Sequence, residues 1–187
     1  SDMAEAIRQT IPTFGGRTGY FSGGIIKKVE KLQVDFGRLI NKTFPAKNQT
    51  KNKFYWRQLF KSTSERGKKL EEAALSSGND NQPWKSLDID DIHQIICNPN
   101  HQPDNLDAIA KALKKTKAFR GDDWVKIRIT INDGIKSLNT QVGNTKRTAG
   151  YVPSALTVEM NKTYIKTFSK ALTEKVRDDK EVADSNV

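Results

Sequence analysis

The chain has 187 residues and a net charge of +10, and 35% of its residues are hydrophobic. This length fits one domain, and 8 Phe, 4 Tyr and 3 Trp argue against a fully disordered chain. The sequence has no apolar run of about 18 residues that would span a membrane, and its single cysteine, Cys97, excludes a disulfide framework within the chain. Because no signal peptide is apparent, we expect a cytoplasmic protein.

The N-terminal segment is rich in glycine, which predicts a flexible arm at residues 1–24. It does not match a nucleotide-binding P-loop, because Ile25 follows Gly24 where that motif needs a lysine. We therefore expect no cofactor there. We predict a helical domain at residues 25–177 and a charged, frayed tail at residues 178–187.

The first predicted helix covers residues 25–44, where apolar residues recur in steps of three and four. Pro45 should end it, because the residue before a proline is disfavoured in a helix. The polar residues 45–52 are typical of a linker.

The second predicted helix covers residues 53–76 and carries the most informative basic cluster. On such a helix Lys53, Arg57 and Lys61 would share one face, and Tyr55 would lie beside it. Cationic rows next to aromatic side chains suit single-stranded nucleic acid, because phosphates need positive charge and bases offer flat faces. The alternative is a solvated helix face.

Three further helices are predicted. A short third helix at residues 87–97 would have Ser86 as its N-cap. A fourth would begin at Asp104 and stop near Gly121, and the last would cover residues 154–177.

The apolar residues in 124–138 fit both the alternation of a strand and the spacing of a helix. The alternating residues that favour a strand are Val125, Ile127, Ile129 and Ile131, followed by the turn residues Asn132, Asp133 and Gly134. Helical steps also fit, through Trp124, Ile127, Ile131, Ile135, Leu138 and Val142. We favour the helix, because a lone hairpin is marginally stable and no other strand is evident. The predicted fold is mainly α, a single helical domain of five or six helices with long polar loops, with a small β-hairpin near 124–138 as the alternative.

Basic residues form a second cluster between Lys111 and Arg120, and Lys162, Lys166 and Lys170 form a row in the last predicted helix. Cations near a helix C-terminus also offset the helix dipole, which explains Lys117 and Arg120 without a ligand. The full set of predicted nucleic-acid-binding residues is Arg17, Lys53, Tyr55, Arg57, Lys61, Lys68, Lys69, Lys111, Lys114, Lys115, Lys117 and Arg120.

No catalytic motif occurs in the sequence. The spacing of His93, Cys97 and His101 is compatible with metal ligands, but Pro99 separates the third residue from the helix, so we expect no metal site. The aspartates of the third predicted helix suit the helix dipole better than a magnesium site.

These observations predict a non-enzymatic protein that binds RNA or single-stranded DNA, mainly through phosphates, as one subunit of a larger assembly. Residues 80–107 carry six acidic side chains and one basic one, and they are a candidate contact surface for a protein partner or a second copy. The main alternative is a protein-interaction adaptor, or a bacterial or viral factor, whose basic faces bind an acidic partner. Peripheral binding to anionic membranes is a third alternative, which we disfavour because the apolar residues of the first predicted helix are more simply core.

Overall fold

The computed structural model describes most of the chain in separate stretches, which are residues 23–44, 47–48, 53–54, 59–60, 65–76, 83–97, 104–147 and 154–185. They contain seven α-helices and one pair of two-residue strands. The prediction of a mainly α fold is confirmed, but the predicted number of five or six helices was too low. The helices are α1 (Gly23–Thr43), α2 (Arg66–Ser76), α3 (Ile89–Cys97), α4 (Asp104–Leu113), α5 (Trp124–Arg147), α6 (Ser154–Met160) and α7 (Thr163–Ser185), with 3-10 helices at Pro83–Ser86 and Lys117–Phe119. No helix in these stretches is long and apolar enough to cross a membrane.

Helix α1 follows the predicted amphipathic pattern. Its buried apolar side chains, at steps of three and four, are Ile26, Val29, Leu32, Phe36, Leu39 and Ile40. The helix ends at Thr43, just before Pro45, and the Phe44 N–H still donates to the Ile40 carbonyl at 2.7 Å. This helix packs against α3, α4, α6, α7 and the first 3-10 helix, so one wide apolar face anchors most of the core.

The predicted helix at residues 53–76 is wrong in its first part. Strand β2 (Lys53–Phe54) pairs antiparallel with β1 (Lys47–Asn48), with Lys47 opposite Phe54. The helical signal there rested on few apolar residues, and a local antiparallel pairing supplies the backbone hydrogen bonds instead. The true helix, α2, begins at Arg66.

Helix α5 settles the ambiguous segment, and the hairpin alternative at 124–138 is wrong. Helical spacing buries Ile127, Ile131 and Ile135 on one face. Two residues that strand alternation would have placed with them, Val125 and Ile129, are 61% and 52% exposed. Helix α5 contacts α3, α4, α6 and α7, which explains why its apolar stripe is long.

Helix α3 is capped by Asp88 and not by the predicted Ser86. The Asp91 N–H donates to Asp88 Oδ1 at 2.9 Å, and the Asp88 N–H donates to Asp91 Oδ2 at 3.0 Å. This reciprocal arrangement is a capping box with aspartate in the third position. Ser86 instead lies in a 3-10 helix, and its carbonyl accepts a hydrogen bond from Arg66 Nη2 at 2.8 Å.

The other helix ends also differ from the predictions. Helix α4 stops at Leu113, well before Gly121, which has a φ of 82° in the turn ahead of α5. The last predicted helix is divided at Asn161, whose side chain donates to the Thr157 carbonyl and competes with the helical pattern.

Helix α7 also continues beyond the predicted end at residue 177. It reaches Ser185, and Asp179 pairs with Lys42 of α1 at 2.7 Å just beyond the predicted end, while residues 180–185 are exposed.

Two aromatic rings and one glycine fix how the long helices cross. The rings of Phe36 and Phe168 lie 5.6 Å apart between centroids, where α1 meets α7. Gly134 of α5 lies so close to α7 that a Cβ atom added there would lie 2.9 Å from Phe168 Cδ1 and closer still to Cε1. A glycine is therefore required at this crossing.

We expect Gly134→Ala to destabilise the protein by about 1–3 kcal/mol, because an added methyl group overpacks a rigid core. The matched control is Gly24→Ala, where the new methyl group meets nothing within 4 Å. That change should raise stability by about 0.5–1 kcal/mol through helix propensity alone. Urea unfolding followed by circular dichroism measures both, and equal effects of the two changes would contradict the close crossing.

Arg66 joins α2 to α3 through a two-pronged ion pair with Asp91. Nε donates to Asp91 Oδ1 at 2.9 Å and Nη2 donates to Oδ2 at 2.8 Å. Burial raises the pKa of Asp91 to about 6, while the Arg66 guanidinium counteracts this. Since that pKa lies above the ordinary 3.8, the carboxyl favours folding at pH below about 4, and this contribution is lost as the pH rises through about 6.

In the variant Arg66→Met, we expect the stability that Asp91 contributes to go on falling at pH values above 6. Without the guanidinium, the pKa of Asp91 rises further, and an ionised carboxylate is left buried without its cation. The variant should lose about 1.5–3 kcal/mol at pH 7.5 and less at pH 5, measured by urea unfolding at both values. In the double variant Arg66→Met, Asp91→Asn the loss at pH 7.5 should no longer exceed the loss at pH 5, because the titrating carboxyl has been removed. If Arg66→Met lowers the free energy of unfolding equally at pH 5 and at pH 7.5, the ion pair with Asp91 is not the cause of the loss.

Candidate nucleic-acid interface

Three of the predicted binding residues lie at the C-terminal end of α4. Lys111, Lys114 and Lys115 are exposed there, and they line a depression of about 340 Å³ together with Lys175 of α7. We call these four side chains the lysine pocket. Its other lining residues are Ala112, Thr116 and Asp178.

The end of α4 places the lysines because the chain is tightly anchored there. Leu113 and Thr116 are buried, and Thr116 Oγ1 donates to the Leu113 carbonyl at 2.6 Å. The residues between these anchors, Lys114 and Lys115, are consequently turned outward at the helix end. Cations also interact favourably with the partial negative charge of a helix C-terminus, which accounts for part of this arrangement.

Lys117 and Arg120 follow on the second 3-10 helix and are exposed beside the lysine pocket without lining it. The backbone N–H of Lys117 donates to Glu174 Oε2 of α7 at 2.6 Å. This bond ties the basic turn to α7, so the lysines of α4 and the lysine of α7 keep a fixed relation.

Trp124 is a residue that the sequence placed in the core and the structure places at the surface. Trp124 is 38% exposed, and Lys114 Nζ lies 5.9 Å from the centroid of its ring. Trp124 fits the helical apolar stripe by its spacing, but it is the first residue of α5 and lies at the edge of the core. The sequence gives one signal for the exposure of Trp124, which is that it directly follows the two charged residues Asp122 and Asp123.

A second basic depression, larger than the first, lies between α1 and α7. This α1–α7 groove has a volume of about 540 Å³, and its cations are Lys28, Lys31, Lys166, Lys170 and Arg177. Leu32 and Met160 add apolar surface, and Asp35 and Glu174 add two carboxylates.

Not every cation of the groove is available to a ligand. Lys31 Nζ is 2.7 Å from Asp35 Oδ2 and 3.0 Å from Thr173 Oγ1. Lys28, Lys166 and Lys170 form no ion pair with other described residues. Lys166 and Lys170 belong to the row of lysines in the last predicted helix. The first member of that row, Lys162, pairs with Glu159 at 2.7 Å instead.

The remaining predicted binding residues are not brought to these depressions. Lys68 and Lys69 are exposed on α2, which packs on the 3-10 helix Pro83–Ser86. Lys53 lies in β2, so the predicted shared helix face with Arg57 and Lys61 is wrong. Arg17, Tyr55, Arg57 and Lys61 lie outside the described residues.

Four of the six acidic residues of region 80–107 form hydrogen bonds or ion pairs within the chain. Asp88 and Asp91 cap α3, Asp90 accepts a hydrogen bond from Gln94 at 2.8 Å, and Asp107 pairs with Arg128 at 2.6 Å. These contacts give a structural reason for the acidity of the segment.

Cys97 lies in an environment that suppresses thiol chemistry. Its Sγ–H donates to Asn132 Oδ1 at 3.1 Å, and burial raises the pKa of the thiol to about 11. Burial also lowers the pKa of the nearby His93, and His101 lies outside the described residues. Among the described residues, no three His, Cys, Asp or Glu side chains gather as metal ligands would.

Comparison of the chain with protein-family models, with curated proteins and with solved structures found no match.

We expect Cys97 to react with iodoacetamide far more slowly in the folded protein than in urea. At pH 8 a pKa of about 11 leaves on the order of 100-fold less thiolate than a pKa near 9. Mass spectrometry of timed samples measures the ratio. Equal rates in the folded and unfolded chain would show that the thiol is neither buried nor bonded to Asn132.

Proposed function

We propose that the protein binds nucleic acid, RNA or single-stranded DNA, mainly through the phosphate backbone, and acts by binding without catalysis. The observation that carries this proposal is the convergence of lysines from two helices on the lysine pocket. Lys111 and Lys115 have no ion-pair partner among the described residues. A phosphate in the pocket would relieve their mutual repulsion.

The lysine pocket also keeps a net positive charge when the nearby carboxylates are counted. Lys175 pairs with Asp179 at 2.9 Å and Asp178 lies in the wall, but Lys111 of α4 and the two lysines of the following turn remain around the same space. Neutralising several lysines with phosphates releases the counterions of the nucleic acid, which is the main source of backbone affinity.

A polymer fits this surface better than a small anion. Helix α7 contributes to both depressions, with Lys166 and Lys170 in the α1–α7 groove and Lys175 in the lysine pocket. A polyanion that crosses α7 would reach basic side chains on both flanks of one helix. The net charge of +10 would further attract such a polymer over long distances.

One observation favours the adaptor alternative. The α1–α7 groove has apolar surface from Leu32 and Met160 between its cations, which suits an acidic amphipathic helix of a partner protein. An adaptor of this kind would lose partner binding when the groove is changed and would bind nucleic acid weakly or not at all.

The proposal includes work within a larger assembly and a cytosolic location. Exposed apolar side chains such as Val158 offer contact surface for other subunits. A single cysteine, kept as a free thiol, is typical of proteins from a reducing compartment.

We expect Lys111→Glu, Lys115→Glu to weaken binding of a single-stranded oligonucleotide at least tenfold at 50 mM salt. Both side chains are exposed, so the fold should be kept. The slope of log affinity against log salt should fall by roughly 1.4, since each lost contact to a single strand removes about 0.7. Fluorescence anisotropy at four salt concentrations measures both quantities.

The matched control is Lys68→Glu, Lys69→Glu, which makes the same charge change on α2, outside both depressions. It should weaken binding less and leave the slope closer to that of the wild type. Equal losses in the two variants would mean that net charge alone governs binding and that the lysine pocket is not the site. Failure of the wild type to bind any nucleic acid would leave the adaptor function.

A further inference from the structure

Trp124 is the described tryptophan whose ring is accessible. Trp84 also has cations near its ring, Arg38 Cζ at 5.1 Å and Lys85 Nζ at 5.7 Å, but it is only 8% exposed. Trp124, in contrast, is 38% exposed. Leaving this aromatic surface in water forgoes the gain from burying it, and an accessible aromatic face is a surface on which a flat ligand can stack.

Lys114 connects Trp124 to the lysine pocket. Its Nζ lies 5.9 Å from the centroid of the Trp124 ring, and the same side chain lines the pocket. A phosphate oxygen that binds this ammonium would lie about 2.8 Å from it. The phosphate would therefore lie within the reach of one nucleotide from the ring.

The neighbouring cations of α5 are already paired. Lys126 Nζ lies 3.0 Å from Asp122, and Arg128 Nε lies 2.6 Å from Asp107. Positive charge that is available near the ring comes from Lys114 and the lysine pocket. This charge favours an anionic aromatic ligand over an uncharged apolar surface of a partner protein.

We propose that Trp124 stacks on an unpaired base of a strand whose phosphates occupy the lysine pocket. The inference rests on the proposed nucleic-acid binding and adds a ligand class, because the faces of bases inside a duplex are covered by their neighbours. Stacking on an aromatic side chain tolerates every base, so the protein would prefer single strands without reading a sequence.

The experiment compares two single strands with the same number of phosphates, a thymidine 12-mer and an abasic 12-mer. The wild type should bind the thymidine strand more tightly. Trp124→Leu keeps apolar volume and removes the aromatic face, so it should weaken binding of the thymidine strand by about 5- to 150-fold, which corresponds to ~1–3 kcal/mol per stacked base. Its affinity for the abasic strand should change less than twofold.

Three further variants complete the design. Trp124→Phe restores a ring and should recover much of the preference for the thymidine strand. Val125→Ala changes an exposed apolar neighbour and should leave both affinities unchanged. Lys114→Ala should weaken both strands, because it removes a contact to phosphate. Circular dichroism of each variant confirms that the fold is kept.

Each outcome has one meaning. Equal weakening of both strands by Trp124→Leu would overturn stacking and assign the residue to the support of Lys114. An unchanged affinity for the thymidine strand in that variant would also overturn it, while leaving the proposed function intact. If the wild type binds neither these strands nor a duplex, the proposed function fails and the inference fails with it. If Trp124→Leu does not fold, the wild type still tests the inference, because equal affinities of the wild type for the thymidine strand and the abasic strand would overturn it.

Discussion

The position of α7 depends on one aromatic ring. Phe168 lies against the ring of Phe36 in α1, and the same ring lies against Gly134 in α5. Helix α7 is thereby held between two long helices at a separation that a single methyl group would change. Because packed interiors tolerate little change in volume, this contact sets where the two flanks of α7 face. One flank forms the α1–α7 groove and the other contributes Lys175 to the lysine pocket.

The distribution of charge follows from how the fold uses its carboxylates. Asp91 and Glu159 are buried, and each is paired with a cation, while Asp88 caps a helix and Glu174 binds a backbone N–H. A buried carboxylate must be paired or hydrogen-bonded, so these acidic groups are committed to structure. Many lysines extend into solvent without such partners. A net charge of +10 therefore becomes a surface with local basic depressions rather than an even mixture of signs.

The sequence predicted helices well where the apolar stripe was long. The steps from Val29 to Ile40 in α1 and from Ile127 to Val142 in α5 are periodic over several turns, and the core buries these residues. The failures involve shorter signals. Lys53 and Phe54 pair with a strand that has no apolar pattern, and a polar Asn161 side chain interrupts the last helix. Such details depend on single backbone hydrogen bonds, which periodicity does not report.

The candidate site was predictable in part, for a similar reason. Lys111, Lys114 and Lys115 form a cluster within one short segment, so composition revealed them. Lys175 is distant in sequence and joins them only because α7 packs beside α4. Trp124 was assigned to the core by its spacing, although a residue at the first position of a helix has no preceding turn to cover it. Contacts between distant segments and the exposure of helix ends both require the tertiary arrangement.

The lysine pocket is also preorganised, which bears on how it would bind. Thr116 closes the turn after α4, and Glu174 holds the backbone of Lys117 at 2.6 Å. A strand that binds here would not have to order this loop, and only the long lysine side chains would lose freedom. The carboxylate of Glu174 reduces the local positive potential, but its hydrogen bond fixes the turn that carries three cations. The fold therefore combines one negative charge near the pocket with a fixed arrangement of its lysines, and the proposed phosphate binding would gain from that rigidity.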